Sequence, residues 1–361
     1  MNQPDATGRF VRRVLIAAGS AAAVLVLLML LWRLSQVVLV FFAAILFGLL
    51  LDGMTRLVQR AVPLPRLLCL SLVILLVLAA VGGFGWIVGP QISSQIAELG
   101  TRIPAAVEHI ASILRHEAWG RALLQSLPEP KNMVPPAAGI VGQFSGVFST
   151  TLGAVTYAAI IIVAGAYLAI EPGPYVNGVL RLLPVDRRAY ARDVLQTLGH
   201  ALSWWLIGRF ASMVAVGVLT ALGLWVIEMP LPLALAFIAG LLSFVPYLGP
   251  ILSAVPAVMI ALVVSPLQAL NVVIVYAAVQ FLEGNLITPV AQERAVSLPP
   301  AVLLIAQLAM GILFGLMGVL LATPTVVVVI ATIQMLYVRD TLGDRIRILG
   351  EHPHTPRGGG N

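Results

Sequence analysis

Long apolar runs alternate with short polar intervals along most of the chain. The runs cover residues 14–32, 37–51, 67–89, 149–170 and 203–227, and a broken series follows from 232 to 337. A run of about 20 apolar residues is long enough to cross a bilayer as a helix. Because a bilayer core offers the backbone no water, such a run forms a helix rather than an open strand. The pattern therefore predicts an all-α, polytopic membrane protein with about eight transmembrane helices.

The polar interval at 90–148 carries a second pattern. Its apolar residues recur at three- and four-residue spacing: Ile92, Ile96, Leu99, Ile103, Val107, Ile110 and Leu114. This spacing predicts an amphipathic helix. The helix either lies over the membrane part of its own chain or packs against further copies, and the spacing favours neither alternative.

Composition agrees with a membrane protein. The 361-residue chain is 60% hydrophobic and only 10% charged, whereas soluble domains carry about 25% charged residues. The net charge is +6, and Lys131 is the only lysine. A basic chain suggests nucleic-acid binding, but here the arginines fall between the apolar runs. We therefore expect no nucleic-acid partner.

The arginines predict the topology, because cytoplasmic loops of membrane proteins are enriched in Arg and Lys. They follow the second, fourth and last runs: Arg56, Arg60, Arg66, Arg181, Arg187, Arg188, Arg192, Arg339, Arg345 and Arg347. We expect both termini in the cytoplasm of a bacterium and the protein in its inner membrane. The predicted regions are a three-span segment at 1–89, an extracytoplasmic segment at 90–148, a transmembrane core at 149–338 and a cytoplasmic tail at 339–361.

Two interruptions mark the C-terminal half. Pro246, Gly249 and Pro250 lie inside an apolar run, where they cannot all belong to one straight helix. Freed backbone groups at membrane depth need protein or a water-filled cavity around them. Broken helices of this kind occur at the binding sites of secondary transporters. We therefore expect broken or re-entrant helices here, with Tyr247 at the break.

The second interruption begins at Gln280 and places Glu283 and Asn285 at the end of an apolar run, with Gly284 and Pro289 as helix breakers. Ionisable residues inside a bilayer usually face a cavity or a partner. Glu283 is therefore the leading candidate for a functional carboxylate, and the alternative is an interfacial residue at a loop edge.

Two further features remain open at this stage. Arg209 opens the fifth run and is either a pathway residue or an interfacial cation. The stretch from Pro299 to about Tyr337 is too long for one ordinary span and contains Gly311, Gly315 and Gly318. It is either a kinked helix or a re-entrant pair.

Motifs for catalysis and metal binding are absent from the sequence. The chain has no G-x-x-x-x-G-K-[ST] loop, no H-E-x-x-H, no G-x-S-x-G and no paired Cys/His spacing. We expect no enzymatic activity, no cofactor and no metal site.

Three segments resemble the autoinducer-2 exporter family of bacterial permeases. Phe244–Pro256 (FVPYLGPILSAVP) is similar to the family's P-Y-x-G-P signature, and Gln280–Pro289 (QFLEGNLITP) to its E-G-N…P stretch. Leu313–Pro324 (LFGLMGVLLATP) is similar to its F-G-x-x-G…P segment. Where members often carry R-G-Q, this chain has Gly208 and Arg209 followed by the apolar Phe210.

The resemblance implies a transporter. Relatives are described as exporters of the quorum-sensing furanone or as sodium/proton antiporters, and members form oligomers. We expect a secondary transporter or facilitator that exports a small polar solute such as autoinducer-2, with Tyr247, Gln280, Glu283, Asn285 and Arg209 along the pathway. The first alternative is a sodium- or lithium-coupled proton antiporter, and the second is a membrane scaffold that works through its external helix. The expected partners are the solute or a cation, the lipid bilayer and further copies of the chain.

Overall fold

The computed structural model describes residues 6–116, 151–287 and 299–339, and these contain helices but no strand. The prediction of an all-α fold is confirmed. The helices that position the site are α1 (Ala6–Ala61), α2 (Arg66–Ile87), α3 (Gly89–His116), α4 (Thr151–Ile170), α5 (Pro172–Arg181), α6 (Val185–Val226), α7 (Pro232–Leu242), α8 (Leu248–Val264), α9 (Pro266–Leu282) and α10 (Pro300–Ile333).

The first two apolar runs lie in one continuous helix. α1 has 56 residues, which corresponds to about 84 Å at the usual helical rise. The polar interval between the runs, at residues 33–36, contains no glycine or proline, so nothing in it ends the helix. The structure thus has two long helices, α1 and α2, where the sequence predicted three spans within 1–89.

The amphipathic helix predicted after α2 is present as α3. Its apolar stripe packs against α7 and α8: Leu99 lies in a buried cluster with Leu235 and Ile260, and Ile96 and Ile103 pack at its edge. The part of the stripe that the structure describes is therefore covered by the same chain.

α4 and α5 meet at a sharp bend. Residues Thr156–Ile170 and Pro172–Arg181 are inclined by 85° to each other, and Pro172 occupies the first position of α5. α4 crosses α1 closely, since a Cβ atom at Gly48 would lie 2.8 Å from the carbonyl oxygen of Gly165. The 42-residue α6 then packs against α1, α5, α7, α9 and α10.

α7 and α8 form a helical hairpin whose tip is at 243–247. Ala234 near the start of α7 and Ala261 near the end of α8 belong to the same buried cluster, so the two helices run antiparallel. The turn brings the backbones so close that a Cβ atom at Gly249 would overlap the carbonyl oxygen of Leu242. The break predicted around Pro246, Gly249 and Pro250 is present.

α9 runs back from the base of this hairpin and ends in a π-helical turn, Glu283–Ile287. Near the end of the described chain, α10 reverses at Gly315, where φ is +63° and ψ is −146°. A Cβ atom at Gly318 would overlap the carbonyl oxygen of Met310. Residues eight apart touch only if the chain folds back, so 300–314 and 316–333 are two arms of a second hairpin. The prediction left a kinked helix and a re-entrant pair open, and the structure has two helical arms that fold back on each other at Gly315.

Much of the apolar surface has no protein cover. By length and composition, five helices among the described residues could cross a bilayer, with the folded-back α10 counted as one, or six if the bent α4–α5 pair is one span, and α7 and α8 are shorter. Only 17% of the most apolar window of α2 is buried inside the protein. The uncovered side chains need lipid around them. The protein is a multi-pass membrane protein, as predicted, and the expected eight spans are an approximate number.

Candidate functional site

The site is centred on a basic side chain in the middle of α6. Arg209 and Ser212 are three residues apart, so they share one face of the helix, and both are buried. A buried guanidinium is costly unless it is paired and hydrogen-bonded. This cost explains why the neighbouring segments present acceptors to it.

Glu283 is the main partner of Arg209. It closes α9 and opens the π-helical turn. Its Oε1 accepts hydrogen bonds from Arg209 Nη1 at 3.2 Å and from Ser212 Oγ at 2.6 Å. Its Oε2 accepts one from Gln280 Nε2 at 2.9 Å. Both carboxylate oxygens therefore have donors, and Oε2, with a single donor, keeps capacity to accept a further hydrogen bond.

The tip of the first hairpin supplies a further acceptor. Arg209 Nε donates to the carbonyl oxygen of Phe244 at 3.1 Å. Three segments that are far apart in sequence thus meet at one guanidinium: α6, the end of α9 and the hairpin tip. Two of these segments are the interruptions that the sequence predicted.

The tip itself has an unfavourable backbone conformation. Tyr247 has φ +64° and ψ −52°, and Leu248 N donates to the carbonyl oxygen of Pro246 at 2.8 Å. Together these features form a γ-turn in the strained, positive-φ form. Strained residues of this kind persist where the surrounding structure holds them, and they cluster at functional sites.

Gln307 of α10 holds this turn from the other side. Its Nε2 donates to the carbonyl oxygen of Pro246 at 3.1 Å, which links the second hairpin to the tip of the first. The side chain is fully buried, and its Oε1 has no hydrogen-bond partner among the described residues. An unsatisfied buried acceptor costs about 1–3 kcal/mol, so this oxygen is a ready acceptor for a polar ligand.

The structure brings together only some of the residues that the sequence proposed. Arg209, Gln280 and Glu283 form one network. Asn285 is exposed and donates to the carbonyl oxygen of Phe281, four residues earlier. Gly284 is exposed in the π-helical turn.

Tyr247 shapes the hairpin tip through its backbone, while its side chain is exposed. Pro246 supplies the carbonyl oxygen that Gln307 binds. Gly249 and Pro250 begin α8 directly after the turn. Pro289 lies outside the described residues.

Sequence reasoning missed Ser212 and Gln307. Each had a usable signal. Ser212 lies one helical turn from Arg209, and Gln307 is an isolated amide in the apolar run from Ala301 to Met310. The charge pair could not be inferred in this way, because 74 residues separate Arg209 from Glu283.

The arrangement suits hydrogen bonding better than metal binding. The groups that meet are a guanidinium, a carboxylate, the Gln280 amide and a hydroxyl, while the Gln307 amide binds the tip of the first hairpin. The described residues contain no group of three or more His, Cys, Asp or Glu side chains that could hold a metal ion.

Comparison with known proteins assigns the chain to a family. The family described as "AI-2E family transporter" matches residues 21–337. The chain is 31% identical over 292 residues to "Putative transport protein YrrI" of Bacillus subtilis (strain 168), covering 76% of this chain and 80% of that protein. "AI-2 transport protein TqsA" of Escherichia coli (strain K12) is 27% identical over 163 residues, covering 44% of this chain and 44% of that protein. The chain belongs to the AI-2E transporter family.

Proposed function

We propose that this protein is an inner-membrane secondary transporter or facilitator that exports a small polar solute, with autoinducer-2 as the first candidate. The observation that carries the proposal is the buried Arg209–Glu283 pair at the meeting point of two helix interruptions. Ionisable residues at such a position commonly mark a solute or ion pathway. A relative's name supplies the candidate solute.

The chemistry of the site fits a hydroxyl-rich molecule. Arg209, Ser212 and Gln280 are donors, while Glu283 and Gln307 Oε1, which has no partner in the described part of the chain, are acceptors. A hydroxyl both donates and accepts, so it can replace one of these contacts without leaving a buried group unpaired. The strained tip at Tyr247 and the Gln307–Pro246 contact then join solute binding to movement of the first hairpin.

A sodium- or lithium-coupled proton antiporter is the alternative. The observation that favours it is the buried carboxylate of Glu283, which can exchange a proton for a cation. In this alternative transport responds to a pH gradient and to the cation even without an organic solute. The scaffold alternative has weaker support, because the described stripe of α3 already packs against α7 and α8.

The proposal also includes the orientation of the protein in the membrane and its partners. The arginine clusters support a cytoplasmic location for both termini. Further copies of the chain are proposed as partners, and no enzymatic step, cofactor or metal is needed for the transport reaction.

The test is solute efflux from proteoliposomes loaded with autoinducer-2, with and without an imposed pH gradient. We expect saturable release that is faster than from liposomes without the protein. The rate of release should fall by about tenfold or more in Glu283→Gln, because the neutral amide no longer balances the charge of Arg209. Glu108→Gln is the matched control, since Glu108 lies exposed on α3 and the exchange removes the same charge.

Each outcome assigns a function. Release that falls in Glu283→Gln but not in Glu108→Gln supports the exporter. No release of autoinducer-2, together with sodium- or lithium-driven pH changes that depend on Glu283, supports the antiporter. Wild-type rates in Glu283→Gln for every solute and cation would remove the buried pair from the mechanism.

A further inference from the structure

A basic corner lies where α1 ends and α2 begins. It contains Arg56, Arg60 and Arg66, with Asp52 as the acidic partner at the same place. Arg56 and Arg60 are four residues apart and so share one face of α1. That face meets α6, where Arg56 Nη2 donates to Ser203 Oγ at 3.2 Å.

Two of these arginines are already engaged in holding helices together. Asp52 pairs with Arg56 at 3.0 Å and with Arg66 at 2.9 Å. Arg66 also donates to the carbonyl oxygens of Ala169 and Ile170 at the end of α4. One carboxylate therefore serves two guanidinium groups, and the corner keeps a surplus of positive charge.

Arg60 differs from the other two. Its guanidinium lies over the ring of Trp204, 5.9 Å from the centroid. No carboxylate among the described residues forms an ion pair with it, and the side chain is exposed. Its charge is therefore available to a ligand from outside the protein.

The surroundings of the corner are apolar and uncovered. The connection between α1 and α2 is Val62-Pro63-Leu64-Pro65, and Val62 and Leu64 are exposed. At the start of α2, Leu67 and Leu68 are 64% and 56% exposed. Arginine beside tryptophan and exposed leucine is the composition of the membrane–water interface, where long cationic side chains extend to the headgroups.

From these observations we infer that the α1–α2 corner binds the phosphate headgroup of an anionic phospholipid. Arg60, oriented by Trp204, is the main phosphate donor, and the exposed leucines contact the acyl chains. Three arginines against one carboxylate give the complementary charge, and guanidinium groups bind phosphate with paired hydrogen bonds. The site does not depend on the identity of the transported solute.

The test is lipid retention by the full-length protein in native mass spectrometry. The purified protein is equilibrated with equal amounts of phosphatidylglycerol and phosphatidylcholine, and the bound fraction of each is measured. We expect the wild type to prefer phosphatidylglycerol. Arg60→Gln should reduce that preference about fivefold, which is the effect of one basic residue near an anionic lipid.

Two variants keep the test specific. Arg187→Gln removes the same charge from an exposed position on the first turn of α6 and should leave the preference unchanged. Arg60→Lys keeps the charge and should recover at least half of the phosphatidylglycerol preference that Arg60→Gln loses. The proposal is overturned if Arg60→Gln retains the wild-type preference, if Arg187→Gln loses as much as Arg60→Gln, or if Arg60→Lys recovers nothing.

Discussion

Two arginine–carboxylate clusters in this protein use the same chemistry in opposite surroundings. The surface clamp consists of Asp52, Arg56 and Arg66, whose side chains are 22–45% exposed. The buried pair consists of Arg209 and Glu283, which are 7% and 4% exposed. The clamp lies at exposed helix ends, whereas the buried pair lies where two apolar segments break.

The difference follows from the backbone around each cluster. The clamp ties the ends of α1, α2 and α4 together, and water still reaches its charges. At the buried pair the hairpin tip and the π-helical turn present free backbone groups, and the charges must satisfy one another. Desolvation makes the second arrangement sensitive to any missing partner, as expected for a site that changes state during transport.

The largest expected effect comes from removing one charge of the buried pair. Arg209→Met leaves Glu283 buried without a counter-charge and should lower the free energy of unfolding by about 3–5 kcal/mol. The measurement is a denaturant titration of the protein in detergent. The double variant Arg209→Met/Glu283→Met should recover most of the loss, because two apolar side chains leave no charge unpaired. An unchanged unfolding midpoint in Arg209→Met would show that the buried pair matters no more to stability than the exposed clamp does.

The next largest effect is expected from crowding the tight turns of the two hairpins. Gly249→Ala and Gly318→Ala each place a methyl group against a backbone carbonyl, of Leu242 and Met310 respectively. Each should destabilise the protein by about 1–3 kcal/mol and slow transport. Gly82→Ala is the control, because nothing lies within 4 Å of its Cβ position. Equal stability in all three variants would show that the hairpins are looser than the structure indicates.

A smaller effect is expected where α3 meets the first hairpin. Gln95 Oε1 accepts a hydrogen bond from Ala234 N at 3.0 Å, at a helix start whose own N-cap residue provides no side-chain bond. Gln95→Ala should cost about 0.5–2 kcal/mol and speed hydrogen exchange at the Ala234 amide. Gln91→Ala, at an exposed position on α3, should leave both unchanged. Protection that survives Gln95→Ala would show that this hydrogen bond is not needed to hold the start of α7.

The smallest effect should come from the surface clamp. Asp52→Asn removes the carboxylate that pairs with Arg56 and Arg66, yet exposed pairs contribute only about 0–1 kcal/mol. That contribution should shrink further in high salt, and unfolding in 0.05 M and 1 M NaCl measures the difference. A loss as large as that of Arg209→Met would erase the distinction between the two clusters.

Short-range sequence signals predicted the helices and their breaks better than they predicted which segments pack against each other. The spacing of Ile92, Ile96, Leu99 and Ile103 predicted α3, and the prolines around Tyr247 predicted the first break. The three polar or charged residues within 33–36 suggested a boundary between two spans, yet α1 continues through them. Helix continuation depends on the absence of Gly and Pro more than on polarity, and this rule was available in the sequence.

The sequence by itself determined the class of the protein, the presence of its helices, the positions of most breaks and the candidacy of Glu283. These features follow from apolar run length, proline and glycine, all of which act over a few residues. Only the tertiary structure decided that Arg209 pairs with Glu283, that Gln307 holds Pro246 61 residues away, and that α3 covers the first hairpin. The physical reason is that a buried charge can be satisfied by any partner that packing brings near, and packing between distant segments leaves no periodic trace in one sequence.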